Sequence, residues 1–103
     1  MFVQREPIVC RDGFRMSVQA SEGHYCTPRE DHASHYSCVE VGFPSECEQL
    51  LMPFIEIPDE EPTRSVYPWV PVGVIQLILE KHGGMVGGEL PPVDRSAWLT
   101  EVK

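Results

Sequence analysis

The fold turns on PVGVIQLILEKHGG, residues 71–84. Pro71 reads as the first residue of an α-helix, because an amide in the first turn has no helical partner and its absence there loses nothing. Gly83 suits the left-handed position after the last turn, and Lys81 and His82 fall where the helix dipole favours positive charge. Between these signals Val72, Val74, Ile75, Leu77, Ile78 and Leu79 leave only Gly73, Gln76, Glu80 and Lys81 for a wet strip. A helix this apolar has to pack deeply, and the sequence before it supplies strands for it to pack on.

FVQREPIVC and FRMSVQA are separated by Arg11-Asp12-Gly13, and Asp-Gly is a tight-turn pair, so the first twenty residues read as a β-hairpin. Phe14, Met16, Val18 and Ala20 alternate with Arg15, Ser17 and Gln19, the period of a strand with one wet face. Pro7 removes a ladder donor, so the first strand is expected to be short or at an edge. Polar and turn-forming residues from Ser21 to about Tyr36 predict a long loop. YSCVEVGF then predicts a third strand in which burying Val39 and Val41 turns Cys38 and Glu40 outward. Ser45-Glu46-Cys47-Glu48 has the form of a capping box and predicts a short helix through Gln49, Leu50, Leu51 and Met52, stopped by Pro53. FIEIPDEEPTRS reads as an extended piece and an acidic, proline-bounded turn, and VYPWV as a strand that Pro68 confines to an edge or a bulge.

The expected architecture is therefore α+β: an antiparallel sheet of three to five strands, the Pro71–His82 helix across one face, and one short capped helix. Residues 1–84 form this domain. Residues 85–103, with one glycine pair and a proline pair, read as an extended tail anchored by Trp98, on its own domain, a sister chain in a homodimer, or another partner. At 103 residues there is room for one small domain, and no internal repeat is present. The N-terminus has no basic segment leading an apolar run, and no stretch approaches the roughly 18 apolar residues of a membrane span, so a soluble, cytoplasmic protein is expected. Thiols are kept reduced in that compartment, so Cys10, Cys26, Cys38 and Cys47 are expected to be free or metal-bound.

Charge narrows the function classes. Sixteen acids against eight bases give a net charge of -8, and the imbalance is local. No lysine or arginine occurs between Arg29 and Arg64, where nine acids fall; the rest of the chain has seven acids and eight bases. Direct binding of nucleic acid needs clustered cations and is disfavoured, whereas docking on a basic protein surface fits. Glu46, Glu48, Glu56, Asp59, Glu60 and Glu61 are the candidate contacts, with Glu46 and Glu48 also explained by a helix dipole alone.

HYCTPREDHASHYSC, residues 24–38, offers His24, Cys26, His32, His35 and Cys38 as zinc ligands. Positions two apart share a strand face and positions three apart lie close on a helical turn, so a small zinc-stabilised domain is the alternative reading. The tight paired spacings of zinc modules are missing, however, which favours an ordinary polar loop. Nucleophilic catalysis by Cys26 or Cys38 with His24 or His35 is a third reading, against which stands the usual origin of such partners in distant segments. No deaminase H-x-E with C-x-x-C is present, and His82-Gly83-Gly84 lacks a G-x-S-x-G nucleophile, so no catalytic motif is complete.

CVEVGFPSE and VPVGVIQLILEKHGG, with HYCTPR upstream, resemble small accessory proteins of tailed phages and prophages over about residues 14–84. Short acidic proteins of that origin include inhibitors of host defence, among them anti-CRISPR proteins. The resemblance implies a non-enzymatic inhibitor that needs no cofactor and occupies a basic, nucleic-acid-handling surface of a host or defence protein, such as a CRISPR effector subunit. It transfers no functional residue.

Overall fold

The computed structural model describes residues 4–98. Five strands, β1 (Ile8–Cys10), β2 (Arg15–Gln19), β3 (Cys38–Gly42), β4 (Val66–Pro71) and β5 (Met85–Gly87), form one sheet in the order β4-β3-β2-β1-β5, antiparallel throughout. The one α-helix among the described residues, α1 (Val72–Lys81), packs on one sheet face, so the fold is α+β.

The hairpin forms where Asp12-Gly13 demands it. Gly13 takes φ +97°, a conformation that L-residues with a Cβ rarely adopt, and the Asp12 carboxylate accepts the Phe14 amide at 2.9 Å. Alternation then puts Met16 and Val18 of β2, Val39 and Val41 of β3, and Tyr67 and Val70 of β4 into the core. Val72, Ile75, Ile78 and Leu79 of α1 are buried as well, as is Leu51 from the connection before β4. The ladder slips between Val39 and Val41: Val39 faces Val70, Val41 faces Tyr67, and Pro68 and Trp69 together stand opposite Glu40. This bulge accommodates the proline that a regular ladder would reject.

Three local expectations need correction. Pro71 ends β4 and caps α1 from outside, with extended backbone at φ -60° and ψ 141°; its fixed φ is compatible with both roles. Gly73, assigned to the wet strip, is buried, while Val74 and Leu77 are half-buried. β1 is short, as expected from Pro7, and it lies inside the sheet: β5 pairs its far side through Val9 with Gly87 and Cys10 with Met85. No capping box forms, because the Ser45 hydroxyl accepts the Arg15 amide at 2.9 Å and so ties the loop to β2. The helix that follows is instead a 3-10 helix, Gln49–Phe54, capped by the Glu48 carboxylate on the Leu50 amide at 3.0 Å. Pro53 lies inside it, since the short i→i+3 pattern loses one bond there and keeps those from Leu51 to Glu48 and from Ile55 to Met52.

The residues after α1 are more integrated than a tail. Gly83 and Gly84 take φ +89° and +96° and turn the chain back into β5. Gly88 then passes so close to β1 that a Cβ there would sit 2.0 Å from the Pro7 carbonyl oxygen. Val93 pairs in parallel with Tyr36, and Trp98 packs against the domain's own core with the Arg95 guanidinium 4.2 Å from its ring.

Candidate functional site

The acidic segment forms an outer surface with a fixed shape. Glu56, Asp59, Glu60 and Glu61 are exposed on the connection between the Gln49–Phe54 helix and β4. Three contacts fasten that connection to the fold: the Glu56 amide donates to the Val66 carbonyl at 3.0 Å, the Ser65 hydroxyl to the Glu61 carbonyl at 2.8 Å, and the buried Tyr67 hydroxyl to the Pro62 carbonyl at 2.6 Å. The Tyr67 hydroxyl is pushed up by burial first, and then by Cys47, Glu61 and Glu60. Glu46 is exposed beside Cys47. None of these five carboxylates forms an ion pair with a described cation of the chain.

Two exposed large apolar side chains lie close in the chain to these carboxylates. Phe43 is 60% exposed and Ile57 53%. The Phe43 amide bonds the Ser65 carbonyl while Glu56 bonds Val66, so Phe43 and the acidic connection flank the start of β4. Phe43 also walls an open groove of about 500 Å³, with Glu6, Pro7, Arg15, Met16, Ser17 and Ser45 as its other sides.

Glu48, the sixth predicted contact, belongs elsewhere: its side chain is 1% exposed and sits in a buried cluster that sequence reasoning missed. The Nε2 of His82 lies 2.7 Å from Glu48 Oε1, and Nδ1 lies 2.6 Å from Asp12 Oδ2. Lys81 Nζ donates to Glu48 Oε2 at 2.8 Å, and the His82 ring stacks on Phe14 with centroids 4.1 Å apart. Burial alone would lower the His82 pKa, but the hydrogen bonds to Glu48 and Asp12 and their charge outweigh it, so the imidazole is held above its ordinary range. Burial would likewise raise Glu48, and Lys81, His82 and the Leu50 amide overcome it and hold the carboxyl below its ordinary range. The Phe14 amide, then His82, lower Asp12. With a carboxylate on each ring nitrogen, the protonated His82 donates twice and has no lone pair for a substrate. Chemically the cluster is a clasp joining the hairpin turn, the cap of the 3-10 helix and the end of α1.

The histidines and cysteines of residues 24–38 do not converge. His24 is buried with Nδ1 2.7 Å from the Ser21 hydroxyl, and the buried Cys26 thiol donates to the Ser21 and Pro28 carbonyls at 3.2 and 3.3 Å. His32 and His35 are exposed, and Cys38 is half-buried on β3. Among the described residues no group of three or more potential ligands stands close enough to hold a metal ion. Burial pushes up both the Cys26 and Cys38 thiols, the reverse of nucleophile activation. Tyr36 anchors the loop: fully buried, its hydroxyl donates to the Glu30 carbonyl at 2.6 Å and accepts the Ala33 amide at 3.2 Å.

No helix among the described residues is long and apolar enough to cross a membrane. Comparison of the chain with known protein families, curated proteins and solved structures finds no match.

Proposed function

We propose that the chain is a non-enzymatic binding protein that docks its exposed acidic end on a basic protein surface, with Glu46, Glu56, Asp59, Glu60 and Glu61 as charge contacts and Phe43 and Ile57 as apolar anchors. The observation that carries this reading is the set of exposed carboxylates that pair with no described cation, on a connection bonded to the start of β4, with the exposed Ile57 inside that connection and the exposed Phe43 bonded to the residue before β4. Carboxylates left unneutralised by the described cations are available to a partner, and apolar anchors close to them in the chain supply the short-range affinity that charge alone lacks. The Glu56, Ser65 and Tyr67 bonds hold the connection ready, so little ordering entropy opposes docking.

A basic surface that handles nucleic acid is the fitting partner class, since carboxylates there stand where phosphates would lie. A phage-type inhibitor of a host or defence protein, such as a CRISPR effector subunit, is the biological form this takes. The raised Cys26 and Cys38 thiols and the doubly engaged His82 support a role without catalysis. Capture of partners from host cells by tagged wild type, beside a variant reversed at Glu56, Asp59, Glu60 and Glu61 to lysine, tests the reading. A basic protein held by the wild type should be lost by the variant, and lost by the wild type as salt rises. Equal capture by both at low salt refutes the reading.

A further inference from the structure

Trp69 is the most conspicuous unexplained side chain outside the acidic end. It is 47% exposed, and it sits at φ +49° inside a β-strand, where an aromatic L-residue is strained. Core packing does not account for the strain, because the bulge sends the ring outward while Tyr67 and Val70 on either side stay buried. Its surroundings are specific. The Trp69 amide donates to the Tyr25 carbonyl at 3.1 Å, and the two rings lie 4.9 Å apart. The Tyr25 amide in turn donates to one Glu40 oxygen at 2.9 Å, and Glu40 stands opposite the bulge on β3. No described cation pairs with Glu40, and Tyr25 joins this half-exposed residue to the exposed Trp69 through its amide, its carbonyl and its ring.

The same chain shows what completes such a ring. Arg95 lies over Trp98 at 4.2 Å and Arg29 over Tyr25 at 5.1 Å, both within cation–π range, whereas no described cation stands over Trp69. We infer that Trp69 and Glu40 form a receptor for an arginine side chain of the basic partner, the guanidinium stacking on the indole and pairing with the free carboxylate oxygen. The flat, weakly hydrated guanidinium fits both features at once, which a lysine ammonium does not. This inference rests on the reading of the chain as a binder of a basic protein and adds a site distinct from the Glu56–Glu61 connection.

The test titrates the intact, isotope-labelled chain with the peptide acetyl-Gly-Arg-Gly-amide, following the indole resonances of Trp69 and Trp98 by NMR. Trp98, already covered by Arg95, is the internal control. A saturable shift of Trp69 is expected, with a dissociation constant on the order of millimolar, while Trp98 stays still. The matched citrulline peptide, which keeps the shape and lacks the charge, should give no saturable shift. Glu40→Gln should weaken binding of the arginine peptide by about two- to fivefold. An unmoved Trp69, equal movement of both indoles, or equal binding of the citrulline peptide overturns the inference using wild-type protein alone. The lysine variant at Glu56, Asp59, Glu60 and Glu61 separates the two proposals. If it keeps the peptide site but still holds the partner, the acidic-end reading fails alone. If the peptide site is absent while partner capture stays sensitive to those four residues, the arginine receptor fails alone.

Discussion

Substituting Glu48 by glutamine should destabilise the fold far more than neutralising any other of the six carboxylates expected to contact a partner. Glutamine keeps the volume, but it removes a charge that His82 and Lys81 both contact, and its amide group can present an acceptor to only one of them. Three contributions follow. The buried bond to His82 loses the charge of its acceptor, the cap on the Leu50 amide is weakened, and the Lys81 pair disappears. Lys81 is 49% exposed and regains water, so its share is small. The bond to His82 and the cap are each worth about 1–2 kcal/mol, giving a loss of roughly 2–3 kcal/mol, or about 10–20 °C in melting temperature for a domain of this size. Urea and thermal unfolding at pH 6 read this directly. The pH profile supplies a second signature. His82 is raised above its ordinary value of 6.5, so its contribution is complete below that pH and is lost as pH rises through the raised value. Glu48 is lowered below 4.5, so its contribution is complete above that pH and is lost as pH falls through the lowered value. Wild-type stability should therefore crest between these two ordinary values, and the variant should lose much of the alkaline decline. A variant within about 0.5 kcal/mol of wild type, the range of an ordinary surface substitution, with an unchanged pH profile, would falsify the clasp.

Gly88→Ala should destabilise by about 2 kcal/mol or more, because a Cβ would strike the Pro7 carbonyl and the Ile8 Cα from a residue at φ +88°; urea midpoints check it. Phe43→Gly should do the reverse and stabilise by about 1 kcal/mol, since φ +51° suits glycine and the 60% exposed ring contributes little packing; a lower melting temperature would contradict the assignment of strain. Thiol labelling under native conditions should modify exposed Cys47 first and leave buried Cys10 and Cys26 protected, so uniform rates would be inconsistent with this burial pattern.

The fold was legible where sequence signals are short-range and mutually consistent. Asp12-Gly13, the alternation through Phe14 to Ala20, and the apolar run from Val72 to Leu79 each specify an element from within a few residues. The α+β arrangement follows from them. Errors arose where a residue's partner is remote. Ser45 has a suitable neighbour in Glu48 three residues on, yet its hydroxyl is taken by Arg15, which no local pattern announces. Met85–Gly87 reads as linker because three residues among glycines carry little strand propensity, and only the unpaired side of β1 makes them a strand.

The acidic end and the clasp show the same limit acting on charge. Counting acids between Arg29 and Arg64 treats Glu48 and Glu60 alike, but one meets two cations inside the protein and the other meets none that is described. The partners of Glu48 lie 33 and 34 residues away, and Asp12 and His82 are 70 apart, so no spacing rule could pair them. What separates a structural carboxylate from an available one is whether the fold brings a cation to it. The five candidates that remain after Glu48 is removed are those to which the fold brings no described cation, and on the proposed reading those five, with Phe43 and Ile57, are where a partner's positive charge would have most to gain.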